Sequence, residues 1–296
     1  MKAASLFAGA VLTAPYPALA EPDKASSDSD GETIVVTATH RSEPLSRLPL
    51  SVAIIDEEQL ASARPDNAED LAGLLPGVEV AVANGNQPVF QIRGIGAVDH
   101  QALTPGAAAV YSDGVYLATN VQTGALLYDL ERIEVLKGPQ GSLYGRNASS
   151  GAIHLISRGP AGSAGNHVEI GYGDFGRVEI AGAVEGAVAD GVRLRAASRY
   201  LSRGPVLDNV AGPKKAAGED EEFGLRLTTL IERGGASLTV RGHYETDTGI
   251  NPTPRNSALA IGKHEVATEG DGQQDTDNSF YGVSASLEAS IGPWDL

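Results

Sequence analysis

From residue 165 onward the chain repeats one pattern that few folds accommodate. Apolar side chains occupy every second position, with small, polar or cationic residues between them. Val168, Ile170 and Tyr172 begin it, and Val178, Ile180 and Val184 follow. Val192, Leu194, Ala196 and Tyr200 alternate with Arg193, Arg195 and Arg199, so one face is apolar and the other cationic. Phe223, Leu225, Leu227 and Ile231 run opposite Arg226, and Leu238, Val240 and Tyr244 run opposite Thr239, Arg241 and His243. Tyr281, Val283, Ala285, Leu287 and Ile291 close the series. A period of two is the period of a strand. The pattern predicts six strands, with Trp294 to Leu296 starting a seventh. Connections are tight at 171–176, 187–191 and 232–236, and long at 202–222 and 245–278. Lopsided loops and one apolar face mark a transmembrane β-barrel. A soluble antiparallel sandwich alternates too and stays open as an alternative. Six strands cannot close a membrane barrel, whose smallest bacterial form has about eight. An open sheet in lipid leaves backbone groups unpaired. The expectation is therefore a truncated barrel: a fragment of a longer one, or a product that cannot insert alone.

Charge and composition narrow the function classes. Asp and Glu number 38 against 22 Lys and Arg, a formal charge of −16. A phosphate backbone calls for a basic face, so nucleic acid is not an expected partner. There is no cysteine, hence neither a disulfide framework nor a thiolate metal site. The six histidines are scattered without a helical H-x-x-x-H pair, and no resident metal or cofactor is expected. Residues 1–20 read as a cleaved secretory signal: Lys2, a small apolar run from Ala3 to Ala14, and Ala18-Leu19-Ala20 as the cleavage site. Pro15 and Pro17 break the run, which argues against a membrane anchor.

Residues 21–49 form a polar, acidic segment that cannot bury a core and is expected to be disordered. Within it lies Glu32-Thr33-Ile34-Val35-Val36-Thr37-Ala38, strongly β-prone and apolar. An unpaired apolar strand is an aggregation hazard. It either packs on its own domain or is held for a partner that adds a strand to it.

Residues 50–160 predict a small α+β domain with a mixed sheet. Ser51 to Ile55 is a strand; Asp56 caps a helical turn; Asp66 or Asn67 caps a helix from Ala68 to Leu75. Val78 to Val82 and Val89 to Arg93 are strands around an Asn84-Gly85-Asn86 turn, and Ala109 to Leu117 folds about Ser112-Asp113-Gly114. Residues 94–107 and 118–123 are polar loops, the first long enough to suggest binding or gating. Glu131 to Arg158 reads strand, glycine-rich turn, short helix or turn, strand. Gly171 to Gly176 matches G-x-G-x-x-G, but a strand follows where a dinucleotide site needs a helix, so it is a hairpin turn. Ser112-Asp113 with His100 lacks a nucleophile elbow, and no enzyme activity is expected.

Four pieces, in order, resemble a TonB-dependent outer-membrane receptor: Glu32 to Ala38 as the TonB box, Val89-Phe90-Gln91-Ile92-Arg93-Gly94, Tyr111-Ser112-Asp113-Gly114-Val115-Tyr116, and Ile133 to Gly151. The resemblance implies a plug domain followed by the first antiparallel strands of a plugged barrel, of about 22 strands in the family. It implies a place in the bacterial outer membrane, contact with its lipid, and import of a ferric siderophore or a similar bulky chelate. The TonB protein would pair with the box as an added strand. Arg93 and Lys137 resemble plug cations that meet barrel glutamates. Ligand contacts would come from apical loops, by position Asn84, Gln87, Asp99, His100, Gln101, Asn120 and Gln122. The alternative is a truncated plug-bearing module that binds TonB or ligand without transporting.

Overall fold

The structure is a computed structural model. It describes residues 35–36, 43–44, 50–65, 67–83, 87–96, 106–160, 165–211, 216–250, 262, 264–267, 275–291 and 294–295. Strands β1 (Val35–Val36) and β2 (Glu43–Pro44) pair antiparallel ahead of the first domain. The domain itself contains β3 (Ser51–Ile55), β4 (Val78–Ala83), β5 (Gln87–Ile92), β6 (Ala108–Ser112), β7 (Val115–Tyr116), β8 (Leu130–Lys137) and β9 (Gly151–Ser157). A five-stranded sheet runs in the order β3-β8-β9-β6-β7, and β4-β5 form a separate hairpin. The sheet is mixed, because β6 and β9 are parallel and the other pairs antiparallel.

Helix α1 (Glu57–Ala63) starts at an Asp56 capping box, in which the carboxylate accepts from the Gln59 N–H and the Gln59 side chain returns the bond. The segment expected as a second α-helix is a 3-10 helix over Ala68–Gly73, capped by Asn67. Asp66 lies outside the described residues. The tighter turn stops at once because Leu74, Pro76 and Gly77 follow, and Gly77 adopts a positive φ. Two short helices complete the domain, α2 (Gln122–Ala125) and α3 (Gly141–Tyr144). α2 falls where a loop was expected.

Strand β8 is covered on both faces. Ile133 and Val135 enter the main core with Ile55, Leu71, Phe90, Ile92, Ile153 and Leu155. Leu136 lies on the other face with Ala109, Tyr111, Tyr144 and Ala152. Glu134 is buried there too, held by the Arg132 guanidinium at 2.8 Å. Gly151 is fixed by the crossing: its φ is +154°, and a Cβ would lie 2.1 Å from the Leu136 carbonyl oxygen.

The second part is one antiparallel sheet of β10 (His167–Tyr172), β11 (Val178–Ala189), β12 (Val192–Arg203), β15 (Asp220–Arg233), β16 (Ala236–Ile250), β18 (Asp275–Ile291) and β19 (Trp294–Asp295), in that order. Between them, β13 (Leu207–Asn209), β14 (Ala216–Ala217) and β17 (Glu265–Val266) form a small sheet within the two long connections. The long strands outrun the apolar pattern: their polar ends, such as Asp220–Glu222 with Asp247–Gly249, stay paired in register. Two-residue turns at 190–191 and 234–235 mark one rim, and the connections 204–219 and 251–274 share the other. Val168, Ile170, Val184, Leu227, Val283 and Leu287 are exposed on the outer face. Arg195, Arg199, Arg226, Glu245 and Asp247 are buried on the inner one. The sheet is an open wall curved around part of that domain, not a closed barrel.

Candidate functional site at the plug–wall contact

The inner domain meets the wall at the elbow Leu126–Asp129, just before β8. Asp129 takes φ +50°, which turns its carboxylate toward the wall. The Arg195 guanidinium grips it with two bonds, Nε to Oδ2 at 2.8 Å and Nη2 to Oδ1 at 2.5 Å. A third bond joins Arg195 Nη1 to Glu185 Oε2 at 2.8 Å. With its side chain 1% exposed, Arg195 has both neighbouring carboxylates as counter-charges. A buried cation demands such pairing.

Tyr128 sits beside it. Its ring packs on Ala183 and Ala197 of the wall. Gly224 completes the socket: a Cβ there would lie 2.6 Å from the Tyr128 ring. The Arg226 guanidinium lies 4.5 Å from the ring centroid and donates to the Tyr128 carbonyl at 3.0 Å and the Leu126 carbonyl at 3.5 Å. Cation–π attraction and charge-assisted hydrogen bonds thus act through one side chain. Burial raises the Tyr128 phenol well above its ordinary pKa; Arg226 opposes the shift, and Glu245 and Asp129 add to it. Further along, Arg241 approaches Asp113 at 3.6 Å, and Asp113 also accepts from the Ser157 backbone N–H and hydroxyl.

These cross-links carry the cation on the wall and the acceptor on the inner domain, the opposite polarity to the one expected from Arg93 and Lys137. Lys137 donates to the Pro76 carbonyl at 2.5 Å, within its own domain. Arg93 is exposed at φ +55°, with its backbone N–H on the Gly77 carbonyl. Of the ligand candidates, Asn84, Asp99, His100 and Gln101 lie outside the described residues, as does the side chain of Gln87. Asn120 and Gln122 are half-buried at the start of α2, where the Asn120 carbonyl accepts from Thr123. Of the box, Val35 and Val36 are described, in extended backbone paired with Pro44 and Glu43; Glu32, Thr33, Ile34, Thr37 and Ala38 are outside. Nothing local in the sequence marks Tyr128, Asp129 or Gly224. The available signal was the cationic wall face, which had to be neutralised from within.

Residues 44–152 match the family model of the TonB-dependent Receptor Plug Domain. That stretch is a TonB-dependent receptor plug domain. The inner domain is thus the plug, and the wall is the beginning of the barrel. The receptor is 29% identical over 172 residues to the vitamin B12 transporter BtuB of Vibrio vulnificus, covering 57% of this chain and 28% of that protein. It is 27% identical over 203 residues to the pesticin receptor of Yersinia pestis, covering 67% and 30%. With the iron-regulated outer membrane virulence protein of Vibrio cholerae it shares 34% over 135 residues, covering 43% and 20%. The chain therefore spans under a third of the length of these relatives. In fold it is similar to the ferric yersiniabactin uptake receptor FyuA of Yersinia pestis, at TM-score 0.71 and 18% identity over 83% of this chain and 39% of that one. It is also similar to the pyoverdine-bound FpvA of P. aeruginosa, at TM-score 0.70 and 20% identity over 87% and 34%. The location these comparisons support is the bacterial outer membrane; the relatives are named as a vitamin B12 transporter, a pesticin receptor and an outer membrane virulence protein.

Proposed function

We propose that the receptor takes part in energised import of a ferric siderophore or a similar bulky chelate, driven through Glu32 to Ala38 by TonB. The observation that carries this is the plug seated on the inner face of a wall whose outer face is apolar. A lipid-facing sheet filled by a separate domain is the arrangement of a gated pore, since water-filled barrels need no such filling. The extended backbone of Val35–Val36, ahead of the plug, suits strand addition. Its ladder to β2 is two residues long, and Pro44 has no N–H to give it, so a partner strand displaces little. Arg93 is assigned to a wall carboxylate, and Lys137 with it once its carbonyl contact is exchanged. Ligand contact is assigned to the apical loops carrying Asn84, Gln87, Asp99, His100, Gln101, Asn120 and Gln122. In cells supplied with radiolabelled ferric chelates, deleting Thr33 to Thr37 should abolish energy-dependent uptake and leave surface binding intact. Uptake unchanged by the deletion would rule the reading out.

A further inference from the structure

We propose that a small monovalent anion of the halide class binds between the plug hairpin β6–β7 and the wall, as the counter-charge that Arg226 and Arg241 lack. The site stands apart from the import reading. A cavity of about 80 Å³ lies there, with Ser112, Asp113, Arg226, Arg241, His243 and Ser284 in its lining. That is well above the ~10–15 Å³ one water needs. It is well below the roughly 300 Å³ at which pockets for larger ligands begin.

Arginines on the inner face of the wall differ in their counter-charges. Arg195 holds Asp129 and Glu185, and Arg199 holds Glu179 at 2.8 Å and Glu222 at 3.2 Å. Arg226 is 3% exposed, yet among the described residues its guanidinium meets only neutral groups, the Tyr128 and Leu126 carbonyls and the Tyr128 ring. Arg241 reaches one carboxylate, Asp113, at 3.6 Å, which is beyond hydrogen-bond range. Its buried Nε has no hydrogen-bond partner. Asp113 is already occupied, since its two oxygens accept from the Ser157 backbone N–H at 3.0 Å and from the Ser157 hydroxyl. Glu245 is turned to His243, with Oε2 2.8 Å from Nδ1, and does not line the cavity. Two guanidiniums thus face one committed carboxylate. A buried cation without an anion is costly, and so is a buried donor without an acceptor. One monovalent anion in the cavity answers both: it balances the second guanidinium and accepts from Arg241 Nε and the Ser112 and Ser284 hydroxyls. A divalent oxyanion would set its second charge against Asp113.

Two measurements on the full receptor test the site, and both are required. Crystals soaked in sodium bromide should show an anomalous-scattering peak between Arg226, Arg241 and Ser284. The detergent-solubilised receptor should melt about 2 °C or more higher in sodium chloride than in sodium gluconate of equal ionic strength, with the difference saturating as chloride rises. Equal ionic strength removes general screening from the comparison. Arg241→Gln should lose both the peak and the chloride response. Arg193→Gln, which removes an exposed cation outside the cavity, should keep both. Where Arg241→Gln does not fold, the two readings on the parent decide. Absence of the peak means the cavity holds water alone and overturns the proposal. A peak without a saturating chloride response marks an adventitious ion only and overturns it equally. So does a chloride response that Arg241→Gln retains.

Discussion

Tyr128 separates the work of a ring from that of a hydroxyl. Its hydroxyl is buried without a protein hydrogen-bond partner, while its ring fills the wall socket. Tyr128→Phe should therefore leave thermal stability of the detergent-solubilised receptor within about 1 kcal/mol, whereas Tyr128→Ala should cost about 3–5 kcal/mol. Gly224→Ala pushes a methyl into the ring and should cost about 1–3 kcal/mol. The phenol also makes the plug alkali-sensitive. Its folded pKa lies above the unfolded value of 10.0, chiefly through burial, and Tyr144 behaves alike through burial and then Glu134. Above pH about 10 the unfolded chain loses these protons and the folded one keeps them, so stability falls as pH rises. Melting curves between pH 8 and about 11 should show a shallower loss for Tyr128→Phe than for the parent. The sequence shows that Arg195, Arg199 and Arg226 share a non-apolar face. It does not show that Arg195 meets Asp129, 66 residues away, because alternation sets the face of a side chain and not its distant partner.

At the scale of elements, strands were legible wherever one face was apolar. All six long wall strands lie where the alternation put them, and Trp294 does begin a seventh. Their ends were not legible, since the outer thirds of β15, β16 and β18 rise past the apolar band into polar pairs such as Thr246 with Ser279. Backbone pairing continues there without a hydrophobic signature. Strand β8 is buried on both faces because it lies inside its sheet, so Glu134 and Leu136 are as buried as Ile133. The outer face of the wall tests the membrane assignment. Val184 is 59% exposed near the middle of β11, so Val184→Arg places a charge in lipid. Folding of the full receptor into lipid vesicles should lose about 2–4 kcal/mol, and the same change at exposed Arg-free turn positions should lose almost none.

On the scale of the whole molecule, the four ordered sequence pieces were enough to expect a plug and a wall, and the structure assembles both. The partners of the wall arginines were not legible. A plug that presents Asp113, Asp129 and backbone carbonyls to wall arginines is held by acceptors that lie in turns, where no periodicity speaks. The wall covers one side of the plug and grips it at the elbow Leu126–Asp129. The proposed import depends on TonB pulling on a strand at Val35–Val36. Strand addition works through main-chain hydrogen bonds, which proline removes and alanine keeps. Uptake of ferric chelate by the Val36→Pro and Val36→Ala receptors tests this directly. The account predicts that Val36→Pro binds ligand normally and imports none, while Val36→Ala imports near the parent rate. Import by Val36→Pro at the parent rate would contradict it.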